Sequence, residues 1–231
     1  MIQQLFLLLV ASTLVPTPLA FQYDHAGKRV VEPPANRAFH IVFGHDPGAG
    51  NYDGVVGTNR DQWNYVPVNT REIAELKTAS GTKSKVRLEI SENNGCWGIQ
   101  QHRGIFHAYI YHQNQAVDLK TTIHNLPKGR YAIYVFAHGD APDQNAKIKL
   151  TVGDTDYGHK STINDKSWGF RSLKFVEGVQ YVRFEIKVDA NQPIRIISQR
   201  DGSNYSMFNA IQIVPWPSRL AIEQQRDAVR P

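Results

Sequence analysis

Cysteine is nearly absent. Cys96 is the single one in 231 residues, so no disulfide can form within the chain and its core must hold by packing alone. With Gly95 before it, Trp97 after it and no second thiol, Cys96 reads as a buried structural thiol. Long apolar runs are also missing, except for Leu5-Phe6-Leu7-Leu8-Leu9-Val10-Ala11 within a Met1 to Ala20 stretch that carries no charge. That run is too short to span a bilayer, which takes about 20 apolar residues, and it has the form of a signal-peptide core. The expectation is therefore export, extracellular or periplasmic, with no membrane span. Basic runs are absent as well: Lys and Arg are scattered singly, which argues against nucleic acid as a partner. The formal charge of +5 still gives a mild positive field that favours acidic partners such as uronic-acid polysaccharides.

Several catalytic patterns are missing too. No Gly-x-Ser-x-Gly occurs, and Ser80-Gly81-Thr82-Lys83 matches Ser-x-x-Lys only within a glycine turn that cannot hold the pair on a helix. No strand, glycine loop and helix unit exists for nucleotide phosphates. The nine histidines include no His-x-His pair and no i, i+4 pair on a helix; His102, His107 and His112 are spaced by five, which alternates faces on a strand, so zinc is not expected.

What is present is period-two alternation. In Tyr181 to Val188, Val182, Phe184, Ile186 and Val188 share a face, and Tyr181, Arg183, Glu185 and Lys187 share the water face. Lys147 to Val152 and Lys85 to Ile90 repeat the pattern, and Leu119 to Ile123, Ile194 to Gln199 and Met207 to Val214 carry it more weakly. Tyr131 to His138 is apolar or aromatic on both faces, which predicts a central strand covered on each side. In the last strand, Met207, Asn209, Ile211 and Ile213 are expected on one face and Phe208, Ala210 and Gln212 on the other, with Asn209 as the single buried polar group, needing backbone or a bound cation as partner. Turns punctuate the strands: Pro127-Lys128-Gly129, Gly139-Asp140-Ala141-Pro142-Asp143 and Asp201-Gly202-Ser203-Asn204. In the Leu126-Pro127-Lys128-Gly129 turn, Pro presets one dihedral and Gly is expected to take a positive one. Many short strands without helical period predict an all-β, two-sheet antiparallel jelly-roll sandwich. Its parts are a signal peptide at 1–20, a linker or edge segment at 21–36, the sandwich at 37–215, and a tail at 216–231 with room for a short helix. Gly44 to Val68, with five glycines, reads as a long surface loop.

Candidate binding residues cluster between Asn93 and Gln115. If Phe106 to Tyr111 is a strand, His107, Tyr109 and Tyr111 form a polar, aromatic row opposite Phe106, Ala108 and Ile110. Such a row suits sugar, which needs a flat aromatic face for its C–H side and planar polar groups for its hydroxyls; it equally suits an exposed sheet face, where Tyr pairs well across strands. Trp97, Arg103, Asn114, Trp168, Asn204 and Tyr205 complete the ligand-binding candidates. Trp63-Asn64 reads instead as a lock holding the long loop to the core, and Asn204-Tyr205-Ser206 is also a glycosylation sequon.

Four segments carry a resemblance to secreted bacterial modules of the galactose-binding-like jelly-roll family, relatives of the carbohydrate-binding modules attached to glycoside hydrolases. They are Phe43-Gly44 followed by Trp63-Asn64; Leu76 to Ile90 around Ser80-Gly81-Thr82; Ile123 to Gly139 through Leu126-Pro127-Lys128-Gly129-Arg130-Tyr131; and Phe208-Asn209-Ala210-Ile211-Gln212-Ile213. The resemblance implies the fold more strongly than a function; the expected function is a non-catalytic, monomeric binder of a polar or acidic extracellular glycan with no cofactor, although a structural calcium occurs in sandwich modules of this kind. Two alternatives stay open. One is a structural envelope or matrix protein that meets protein partners. The other is a jelly-roll polysaccharide lyase that would draw on Tyr109, Tyr111, His107, His112, Gln113 and Arg87.

Overall fold

The structure, a computed structural model, describes residues 22–23, 29–30, 36–48 and 52–216. The chain divides into two compact units, Met1–Val31 and Glu32–Pro231. In the first, Gln22–Tyr23 (β1) and Arg29–Val30 (β2) pair antiparallel, so the segment read as a linker contains a short hairpin. The stretches expected to be a signal peptide (1–20) and a tail (216–231) fall outside the described residues, apart from Trp216.

The second unit is built of strands. In chain order they are Phe39–Gly44 (β3), Asn64–Pro67 (β4), Glu72–Ile73 (β5), Arg87–Ile90 (β6), Gly95–Gly98 (β7), Ala108–Tyr111 (β8), Leu119–His124 (β9) and Gly129–Phe136 (β10). They continue with Ala146–Val152 (β11), Thr155–Ser161 (β12), Tyr181–Val188 (β13), Ile194–Arg200 (β14), Met207–Phe208 (β15) and Ala210–Pro215 (β16). A five-stranded sheet runs β13-β10-β16-β3-β4 and a six-stranded sheet β12-β11-β14-β9-β6-β5. A smaller sheet runs β15-β8-β7. The fold is the all-β jelly-roll sandwich that the alternation predicts. Its pairs are antiparallel except at one edge, where β4 runs parallel to β3. Among the described residues no helix is long and apolar enough to cross a membrane.

The inward rows meet between the two large sheets. Val182, Phe184, Ile186 and Val188 of β13 join Ile133 and Val135 of β10 and Ile211 and Ile213 of β16 on one side. Ile148, Leu150 and Val152 of β11, Leu88 and Ile90 of β6 and Ile194 and Ile196 of β14 oppose them. Removing so much apolar area from water is the main stabilising term, in the absence of any disulfide. A second apolar cluster covers the outer face of the five-stranded sheet, where Ala132, Tyr134 and Phe136 pack with Phe106, Tyr109, Phe170 and Trp63. Strand β10 is therefore enclosed on both faces. Tyr181, expected in water, belongs to this outer cluster and is buried, because β13 begins beneath that extra layer.

The 44–68 stretch is more than a surface loop. Strand β4 closes it, Val56, Trp63 and Val66 are buried, and Gln212 of β16 clamps it through the Val55 N–H (2.8 Å) and the Val56 carbonyl (2.8 Å). Trp63 stacks on Tyr52 and lies against His40, so it does lock the loop. In the Leu126-Pro127-Lys128-Gly129 turn, Gly129 does not take a positive φ; Asn125, just before the turn, does (59°). A Cβ at Gly129 would approach the Tyr131 ring to 3.2 Å, a tight contact that the ring would have to relieve by a few tenths of an ångström.

Asn209 breaks the alternation expected of the last strand. It sits between β15 and β16 and shifts the parity, so Phe208 joins Ile211 and Ile213 in the main core while Met207 and Ala210 face the outer cluster. Its side chain is fully buried and bonded to backbone: Oδ1 accepts the His138 N–H at 2.8 Å, and Nδ2 donates to the Ala108 carbonyl at 3.0 Å. Asn209 is also one of many buried polar residues, among them His40, His138, Asn145, Gln180 and Gln212.

Three partly or fully buried histidines make stability depend on pH. Burial lowers the pKa of His102, His107 and His138 below the ordinary value of 6.5, despite backbone carbonyl bonds that act the other way. A folded-state pKa below the unfolded one means that unfolding takes up protons, so this stability is present above about pH 6.5 and is lost as the pH falls below it. The thermal midpoint is expected to fall steadily on acidification from neutrality, as calorimetry across a pH series would show. A midpoint that stays flat down to about pH 5 would mean that these imidazoles are solvated.

A polar and aromatic cavity beside the small sheet

The small sheet sets the first wall of the candidate site. In the antiparallel β7–β8 pair, Trp97 lies opposite Tyr109 and Gly95 opposite Tyr111, so all four share a face. The Tyr111 ring occupies the space over Gly95, where a Cβ would stand 2.4 Å from Cζ; any larger residue would push the ring away. Tyr109 and Tyr111 lie 5.9 Å apart, and Tyr205 meets Tyr111 edge-on at 5.2 Å. Ser203 fixes the Tyr205 turn: its hydroxyl accepts the Tyr205 N–H and donates to the Tyr205 carbonyl.

The second wall comes from the connection between β10 and β11. Its Gly139 N–H donates to the Gln144 carbonyl at 2.7 Å, closing a tight loop that brings Asp140 and Gln144 over the tyrosines. Together Trp97, Tyr109, Tyr111, Asp140, Gln144 and Tyr205 line a cavity of about 280 Å³. The Tyr109 hydroxyl donates to Gln144 Oε1 at 3.4 Å, and burial pushes the Tyr109 phenol well above its usual range. Trp97 is 60% exposed, leaving its ring available at the rim.

Asp140 is held from behind. Its Oδ1 accepts Arg171 Nε at 3.0 Å, Arg171 Nη2 at 2.8 Å and the Gln100 N–H at 3.2 Å. Arg171 ends the short 3₁₀ turn Gly169–Arg171, and its guanidinium lies 4.0 Å from the Trp168 ring. Trp168, 54% exposed, therefore reaches the cavity only through Arg171 and Asp140.

Of the candidates named from sequence, the structure brings Trp97, Tyr109, Tyr111 and Tyr205 together around one cavity, with Trp168 next to its support. His107 is not with them. Strand β8 begins only at Ala108, and the His107 ring turns back to the Gly104 carbonyl at 2.8 Å, 6.4 Å from His45. Arg103 is exposed and does not line the cavity. Asn114 serves a turn, its Oδ1 accepting the Ala116 N–H, and Asn204 is exposed beside Tyr205. The lyase set does not assemble: Arg87 pairs with Glu72 and Glu89 on β6, His112 lies 3.8 Å from Glu92, and Gln113 is exposed with its N–H on Asn94. Cys96 is half-buried, and burial raises its pKa. Among the described residues, no three His, Cys, Asp or Glu side chains converge as ligands for calcium or any other metal ion.

Sequence reading missed Asp140, Gln144 and Arg171. Asp140 stood inside a stretch read only as turn punctuation, and nothing local links it to Arg171, 31 residues away.

Fold and cavity together define a jelly-roll β-sandwich with a polar, aromatic pocket against its small sheet. No protein-family profile matches the sequence and no curated protein does. Among solved structures, the chain is similar to a protein from Bacillus subtilis at 11% identity and TM-score 0.40, over 78% of this chain and 40% of that one. It is similar to CBM35 from Paenibacillus barcinonensis at 9% identity and TM-score 0.35, over 55% and 93%. It is also similar to the CBM36-1 domain of a multidomain xylanase from the hindgut metagenome of Trinervitermes trinervoides at 15% and 0.32, over 57% and 99%. Likenesses of this degree do not bear on function.

Proposed function

We propose that the protein is a non-catalytic glycan-binding protein of the cell exterior and that a sugar unit sits in the cavity beside Trp97. The observation that carries this reading is the joining, in one hollow, of an open indole face with a carboxylate, an amide and three phenols. The C–H side of a pyranose is weakly positive and packs on the negative face of an aromatic ring. Its hydroxyls need fixed planar acceptors and donors, which Asp140 and Gln144 supply from a loop tied down by backbone bonds. A volume near the lower end of the ~300–1,000 Å³ typical of small-molecule sites suits one sugar unit, with the rest of the chain in solvent. Export rests on the Leu5 to Ala11 run. A second reading, an envelope or matrix protein meeting protein partners, draws on the exposed Trp168, Leu173 and Val176.

A glycan array with both neutral and acidic oligosaccharides, followed by titration monitored through tryptophan fluorescence, tests the proposal. Saturable binding with a change in indole emission is expected. Silence across both glycan classes, with a stable protein partner recovered from the extracellular fraction, would favour the matrix reading instead.

A further inference from the structure

Resting on the glycan reading, we infer that this cavity selects neutral sugars over uronic acids, and that Asp140 is the residue that decides it. The charge of the whole chain points the opposite way, so the outcome depends on which field a bound sugar meets. The six lining residues include one carboxylate and neither a lysine nor an arginine. Arg171, which holds Asp140 from behind, does not line the cavity. Its Nε and Nη2 are both spent on Asp140 Oδ1, and its guanidinium is held 4.0 Å from Trp168; the two side chains form a largely buried pair, with only Asp140 on the cavity lining. Three donors converge on Oδ1, and Oδ2 takes part in none of these bonds. Oδ2 keeps its acceptor capacity for a sugar hydroxyl; a sugar carboxylate in that place would meet like charge.

The net +5 does not overturn this. Exposed charges farther than a Debye length, about 8 Å at physiological salt, are largely screened, so they act on encounter more than on the seated complex. A uronate seated here would share the cavity with the Asp140 carboxylate and find no cation on the cavity wall, because Arg171 is already paired with Asp140 from outside the lining.

The experiment is calorimetric titration of the full chain with matched neutral and uronic oligosaccharides of the same linkage, galactose against galacturonate and glucose against glucuronate, at physiological salt. The neutral member is expected to bind on the order of tenfold more tightly, since like-charge juxtaposition costs at least that much. Asp140→Asn keeps the size and an acceptor but removes the charge, and it releases Arg171. Its neutral-to-uronic ratio should collapse toward one. Gln144→Glu adds a second carboxylate to the same wall and should widen the ratio; it also covers the case in which Asp140→Asn does not fold. Equal or tighter uronide binding by the unaltered protein, or a ratio indifferent to both substitutions, overturns the inference while leaving glycan binding intact. If no oligosaccharide of either class binds, the glycan reading itself fails and the inference goes with it.

Discussion

Trp97→Ala should weaken glycan binding by roughly 30-fold, the effect of losing an aromatic stacking face worth about 2 kcal/mol. Stability should hardly move. Trp97 is 60% exposed on the outer strand of the small sheet, and it contributes little to either apolar cluster. Surface substitutions of that kind stay within about 0.5 kcal/mol, a shift of only a degree or two in thermal midpoint for a chain of this size. Trp97→Phe, which keeps a smaller flat face, should recover part of the affinity. The decisive measurement is titration against whichever oligosaccharide the array selects, beside a melting curve of each variant. Unchanged affinity in Trp97→Ala would remove the indole from the site and with it the main support for sugar stacking.

The largest loss of stability is expected from Asn209→Ala. The side chain is fully buried and ties three elements together: the His138 N–H just past β10, the Ala108 carbonyl at the start of β8, and the junction of β15 with β16. Alanine leaves one donor and one acceptor buried without a partner, each costing about 1–3 kcal/mol. A total near 4 kcal/mol is a large share of the roughly 5–15 kcal/mol that holds a domain folded. Denaturant titration should show an earlier midpoint with an unchanged slope, because the surface exposed on unfolding stays the same. Asn209→Asp should stay well below the parent, since a carboxylate accepts from His138 but cannot donate to Ala108. A loss of less than about 1 kcal/mol for the alanine variant would mean that water or a shift of the β15–β16 junction repairs both bonds.

Together the two substitutions separate what the protein does from what keeps it folded. Trp97 stands exposed at the cavity rim; Asn209 is fully buried at the junction of β15 with β16. Trp97 lies in the small sheet and Asn209 adjoins it; that sheet contributes Tyr109 and Met207 to the layer covering the outer face of the five-stranded sheet. That layer was the least legible part of the chain.

The sequence by itself determined the sandwich. Val182, Phe184, Ile186, Ile148, Leu150, Leu88 and Ile90 alternate with polar neighbours, and a strand has only two faces, so the pattern fixes which residues go inward. It also put Tyr109 and Tyr111 on a common face, because both lie within β8. Only the tertiary structure decided the rest. Where β8 begins is set by the Gly104 hydrogen bond that turns His107 out of the row, and where the last strand changes parity is set by Asn209 bonding across to β10 and β8. The cavity joins residues from four separate stretches, 97, 109–111, 140–144 and 205, brought together by sheet pairing and a clamped loop. Periodicity reports whether a side chain points toward water or core; which distant polar groups it will meet depends on contacts between elements, and those have no local signature in the chain.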